Sequence, residues 1–290
     1  MNDNTLTEIM KVGIEFANSA VSAIAGSVIS TLFLRKNTSM TEFEKIKAGK
    51  FSEVIDKLVD TGKMSYLEYF KCKNFLTIAQ KADAMLKEEK KMEEKQSYDY
   101  DWFLRFFDYA SNISNEEMQM IWAKVLAGEI QNPNTTSMTL LHTLFMMRQE
   151  QARAFYNVSR FALMDVSDAY AHLLIFVSSN RLSYEKENIT PTILKELERL
   201  GLLECNFDDE YVFLNKKILK TGNKIITIYG DPDNCGKIKA GNVKFTRDGN
   251  LLYTALDSEA KRYRSDILDY TITKFQRRNC RVMINDKIVL

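Results

Sequence analysis

At 290 residues and 33.6 kDa the chain is long enough for two or three modest hydrophobic cores. Forty Lys and Arg against thirty-nine Asp and Glu leave a formal charge of +1, which disfavours nucleic-acid binding by bulk charge. Only three Pro and eleven Gly, among many Leu, Lys, Glu, Met and Ala, point to a mainly α protein.

The chain begins with its least ordinary segment. Ala17 to Leu34 runs for eighteen residues without a charge, the lower limit for a membrane-spanning helix, although Ser, Thr and Asn dilute it. Asp3, Glu8 and Glu15 precede it where a secretory signal needs basic residues, and Arg35 and Lys36 follow it. Ser19, Ala23, Gly26 and Ser30 fall on one helical face, a seam of small residues that lets two helices approach closely. A helix apolar on nearly all sides needs shelter in protein or in lipid. Residues 1–36 are therefore expected to drive homo-oligomerisation or to contact a membrane.

Thr41–Asp60 reads as one or two amphipathic helices. A long helix is expected from Ser65 to about Gln96, with Leu67, Phe70, Phe75, Leu76, Ala79 and Met85 on its apolar face and a solvated, charge-alternating end. Asp101 to Ser137 holds the densest packet of aromatic, capping and turn residues. Trp102, Phe103, Phe106, Phe107 and Tyr109 crowd one helix. Ser114 and Glu117 then have capping-box spacing, and Met118, Ile121, Trp122, Val125 and Leu126 recur at helical steps. Gly128 weakens the last turn and Asn132-Pro133-Asn134 ends the helix. The rings are read as core, since aromatics dominate buried area. Helices over 138–147 and 149–163 follow and complete a helical domain over residues 37–164, with Leu140, Leu141, Leu144, Phe145, Ala152, Phe155 and Phe161 as core.

DWFLRFF, SNEEMQMIWAKVLAGEIQNP and TSMTLL together resemble the bacterial domain-of-unknown-function family 2806, through an aspartate-tryptophan start, a WAKxLAGE helix and a proline turn. Asp101, Trp102, Arg105, Trp122, Gly128, Glu129 and Pro133 carry the resemblance, and ERLGLL and FTRDGNLL extend it more weakly. The helix-turn-helix texture is also similar to abortive-infection alpha proteins. The resemblance implies a bacterial, cytosol-facing protein from a mobile or phage-defence locus; it supplies no catalytic residues.

From Asp165 the texture changes to a smaller, winged-helix-like α+β domain over residues 165–290. A short helix is expected over 169–177, and Thr190-Pro191 caps another that ends at Gly201. A hairpin broken at Asp208-Asp209 should follow, then strands at KIITIY and Val243–Phe245, a helix capped by Thr246, a helix from Ser258 to about Gln276, and two strands about Asn285-Asp286. The candidate reading helix sets Lys195 and Arg199 against Glu196 and Glu198, which suits protein contact better than DNA. The better contact for an anionic partner is the basic C-terminal tail, where Arg262, Arg264, Lys274, Arg277, Arg278 and Arg281 are interleaved with aromatic residues.

Chemistry is not legible. GDPDNCG lacks the Lys-Ser/Thr pair of a phosphate loop and reads as a turn. Cys72, Cys205, Cys235 and Cys280 form no CxxC and are read as reduced, and neither His142 nor His172 has a ligand-spaced partner, so no metal, cofactor or catalytic residue is expected. The reading is a cytoplasmic, non-enzymatic defence or stress protein, associated with the inner face of the membrane if its leading helix enters lipid. Its C-terminal domain would sense or bind a partner, protein or nucleic acid. The alternative is a nucleic-acid-binding regulator that uses the winged-helix-like domain and the basic tail.

Overall fold

The computed structural model describes residues 56, 59–62, 64–86, 99–167, 172–174, 189–207, 209–221, 223–256, 265–285 and 287–288. Residues 1–36 and the Ser19, Ala23, Gly26 and Ser30 seam lie outside the described residues, as does most of Thr41–Asp60. The chain is mixed α and β and divides into two compact units, Met1–Phe145 and Met146–Leu290.

Every described element of the first unit is a helix: α1 (Tyr66–Leu86), α2 (Tyr100–Ala110), α3 (Glu116–Gln131) and α4 (Met138–Met146), which runs to the division. The α1 helix packs along α3 through Cys72, Phe75, Leu76, Ile78, Ala79 and Ala82. Leu67 and Phe70, expected in that face, are exposed instead. At 100° per residue Phe70 lies about 140° from Phe75, on the far side of α1, whereas Leu67 is in line with buried Ile78 but sits in the first turn of the helix. Phe145, also expected inside, is partly exposed and stacks on Tyr109.

Side chains cap both central helices, and one cap departs from the sequence reading. Asp99 begins α2, its carboxylate accepting from the amides of Asp101 and Trp102. The N-cap of α3 is Asn115, not Ser114, since the Asn115 side chain accepts from the Met118 amide. Asn and Ser cap about equally well, so spacing alone did not separate the two.

The second unit is built on an antiparallel sheet of order β10-β9-β6-β5-β1-β2-β8-β3. Its elements are α5 (Gln149–Ser159), β1 (Ala162–Asp165), β2 (His172–Leu174), α6 (Pro191–Arg199), β3 (Leu203–Cys205), β4 (Val212–Leu214), β5 (Lys216–Thr221), β6 (Lys224–Tyr229), β7 (Lys237–Lys239), β8 (Val243–Phe245), α7 (Arg247–Ala255), α8 (Ser265–Gln276), β9 (Arg281–Ile284) and β10 (Lys287–Ile288). Leu219, Ile226, Ile228 and Val282 on one sheet face meet Leu268, Ile272 and Phe275 of α8 in a buried cluster.

Three expectations are corrected here, and one strand was not foreseen. Residues 162–165 are strand, not the end of a helix. His172–Leu174, placed in a short helix, is a strand paired with β1. The stretch after Gly201 is no hairpin: β3 pairs with β8, while β4 pairs with β7 in a separate two-stranded ribbon. The β5 strand had no counterpart in the sequence reading, because NKKILKT is rich in Lys and reads as a loop. The strands at KIITIY and Val243–Phe245 form as expected, Thr246 caps α7, and the last two strands turn at Asn285, whose φ is 44°.

The two weaker stretches of family resemblance meet in this unit. The Thr246 amide donates to the Leu202 carbonyl, its hydroxyl donates to that of Gly201, and a Cβ on Gly249 would lie 2.0 Å from the Leu202 carbonyl oxygen. ERLGLL and FTRDGNLL are two sides of one close backbone contact.

Candidate nucleic-acid interface

The residues of the family motif are mostly structural. Trp122 and Phe106 are fully buried, and Trp102 nearly so. Trp102 stacks on Phe106 at 5.1 Å, and Phe106 meets Trp122 edge-on at 5.3 Å. Both indole N–H groups are buried, with no hydrogen-bond acceptor among the described residues. Asp101 and Arg105 are exposed, Gly128 and Pro133 half-buried. Glu129 is buried and acts on the turn that follows its helix. Its carboxylate accepts from the amides of Asn134 and Thr136 and from the Thr135 hydroxyl. It holds a sharp turn in which Asn134 has a φ of 63°. These residues shape a core and a loop, and no ligand chemistry converges on them.

One polar cluster has the residue types of a nucleophilic site. The Ser167 hydroxyl donates to Asp165 at 2.6 Å, and the Lys217 ammonium donates to the Ser167 hydroxyl at 3.1 Å. Lys217 is also ion-paired with Asp165 and lies over the Phe213 ring at 4.0 Å. Burial alone would raise the Asp165 carboxyl, but hydrogen bonds from Lys217 and Ser167 outweigh it and hold the carboxyl below its usual range. A general base accepts the nucleophile's proton, whereas here the Lys217 ammonium donates to the Ser167 hydroxyl. The cluster is a buried ion pair with a serine bridge. The thiols fit no better: burial pushes Cys72 up to about 11 and Cys205 up to about 12, away from the thiolate needed for attack. Among the described residues no three His, Cys, Asp or Glu converge as metal ligands do.

The expected basic patch is redistributed. Arg262 and Arg264 lie outside the described residues. Arg278 forms a bidentate pair with Glu210 and donates to the Lys239 carbonyl, so it closes the fold. Lys274 lies over its neighbour Tyr270 at 5.7 Å on α8, and Arg277 is exposed just beyond that helix. Arg281 alone stands on the sheet. It pairs with Tyr229, which pairs with Lys216, and the three make one row across β9, β6 and β5. The Arg281 guanidinium lies 4.6 Å and the Lys216 ammonium 5.6 Å from the centre of the Tyr229 ring.

Register defines the rest of this face, because cross-strand partners point to the same side. Ile218, Thr227 and Met283 form the next row, and Met164, Lys220 and Ile225 the one after. Lys216, Lys220, Ile225 and Arg281 are exposed. The sequences of the three strands, KKILKT, KIITIY and RVMI, contain no Asp or Glu. Lys217 points to the other side, towards Asp165. Sequence reasoning missed Lys216, Lys220 and Tyr229 because β5 was not seen as a strand. The available signal was alternation, cations at 216 and 220 with Ile218 between them.

A family model described as a protein of unknown function (DUF2806) matches residues 63–261. The match covers well over half of the chain. The chain belongs to the DUF2806 family. The DUF2806 match takes in the aromatic motif, the Gly201–Thr246 contact and the strands bearing Lys216 and Tyr229, and stops before α8 and β9. Comparison with curated proteins and with solved structures finds no match.

Proposed function

We propose that the protein is a non-enzymatic binding protein whose second unit engages nucleic acid. The observation that carries this reading is the acid-free sheet face, on which Lys216, Tyr229 and Arg281 share one row with Lys220 nearby. A near-neutral chain binds phosphates only where its cations are segregated from its acids, and these strands achieve that locally. The α6 helix enters as scaffold: Lys195 is ion-paired with Glu198, which also accepts from the Cys205 amide. Titrating the whole chain with labelled oligonucleotides at two salt concentrations tests the reading. Affinity is expected to fall steeply with salt, and binding indifferent to salt overturns it.

A second reading concerns the N-terminal segment and rests on the uncharged run Ala17–Leu34. In it the protein is a cytoplasmic phage-defence protein that oligomerises or engages the inner membrane face through that run, and the second unit acts as sensor. Among the described residues no helix is long and apolar enough to cross a membrane, and the run itself lies outside them. The test compares the whole chain with its Gly26→Leu and Val28→Lys variants by mass in solution and by membrane pelleting. A monomer with no membrane pool before substitution removes the reading.

A further inference from the structure

We infer that the outward face of β5, β6 and β9 is a site for single-stranded nucleic acid, gripped by stacking on the Arg281–Tyr229 pair and by phosphate contact from Lys216 and Lys220. The inference rests on the nucleic-acid reading above and narrows it to one strand form and one surface.

The shape of the surface supplies the first argument. Neighbouring strands lie about 4.8 Å apart, so the Lys216–Tyr229–Arg281 row spans roughly 10 Å. Lys216 and Lys220 are four residues apart on β5, roughly 13 Å at the strand rise. The face is thus broad and low, the size of a few nucleotides. Reading a duplex by its base edges in the major groove takes a helix or a narrow two-stranded ribbon, which a broad sheet face does not provide. A single strand has no groove, and its bases are free to lie against a flat support.

The second argument is the kind of contact offered. The Tyr229 ring is held between two cations, with Arg281 the nearer. Arg281 is itself exposed. A guanidinium supported from beneath by a ring is restrained in a position where its outer side can stack on a base, a mode open to any base because all have a π face. Exposed Ile225 adds apolar surface on the same side. Phosphate contact then falls to Lys216 and Lys220 at the β5 edge of the patch. Nothing here reads base edges, so the site is expected to tolerate sequence.

The experiment measures fluorescence anisotropy of the whole chain with a labelled single strand of mixed sequence and with the duplex of the same sequence, at 50 and 200 mM salt. Circular dichroism verifies the fold of each variant. The single strand is expected to bind at least tenfold more tightly. Tyr229→Leu and Arg281→Lys, which remove ring and plane but no charge, should each weaken it about tenfold and leave the salt slope unchanged. The double change of Lys216 and Lys220 to Gln should lower the slope by about 1.4, at 0.7 per phosphate contact. Arg277→Gln, beyond α8, should have no effect. Equal affinity for duplex, or a loss at Arg277 matching that at Arg281, overturns this inference and leaves the nucleic-acid reading standing. No binding to either form, with binding to phosphatidylserine vesicles instead, overturns both and makes the face a lipid contact.

Discussion

Glu129 shows how a single side chain in the family motif serves the fold. A buried carboxylate that accepts from two amides and a hydroxyl replaces the carbonyls a turn would otherwise need. Glu129→Ala strands those donors and should cost about 2 kcal/mol in chemical denaturation. Glu129→Gln should fare little better, because its amide nitrogen cannot accept. Gly128, beside it, is different: nothing lies within 4 Å of where a Cβ would be, so Gly128→Ala should stabilise the helix by up to about 1 kcal/mol. Asp165 gives a pH test. Its folded carboxyl is held low, mainly by Lys217 and Ser167 against the opposing effect of burial. Its contribution is therefore complete above the unfolded value of about 3.9, declines below it, and is lost as pH falls through the lower folded value. Asp165→Asn should flatten that acid limb in urea melts. Asp165→Ala should cost about 3 kcal/mol near neutral pH by leaving Lys217 without its carboxylate, and the Asp165→Leu, Lys217→Met pair should recover most of the loss.

At the level of elements, the helices were legible and the sheet only partly so. Phe75, Trp122 and Leu144 recur at helical spacing and are buried. KIITIY was visible because β-branched residues favour strands. Lys216–Thr221 was not, since Lys holds three of its six positions and only Ile218 and Leu219 are apolar. Strand partners were the least accessible feature: β3 pairs with β8 across some forty residues, and local sequence carries no record of so distant a choice. The join between ERLGLL and FTRDGNLL has the same origin. Gly249→Ala should destabilise by about 1–3 kcal/mol, because the added methyl meets backbone that has no rotamer to yield. Thr246→Val should cost about 1 kcal/mol through the lost cap. Thermal melts of the two variants measure both.

Taken as a whole molecule, the chain shows why a net charge of +1 was a poor guide to partners. The sum is uninformative once β5, β6 and β9 gather cations without acids while Arg278 and Lys217 are absorbed by Glu210 and Asp165. The described residues of the expected tail patch are divided in the same way: Arg278 is in a closing ion pair, Lys274 is on a helix and Arg281 is on a sheet face. Of the candidate interface only Arg281 was legible, because the row it belongs to is assembled from three separated strands.

The chain has two tryptophans, Trp102 and Trp122, and both are buried in the Met1–Phe145 unit. Intrinsic indole emission is therefore a private reporter of that half. Tyrosines lie in both units, so no intrinsic chromophore is confined to the other. Indole emission followed through a denaturant titration reads the unfolding of the first unit alone, and its separation from the far-ultraviolet transition of the whole chain tells whether the two halves melt together.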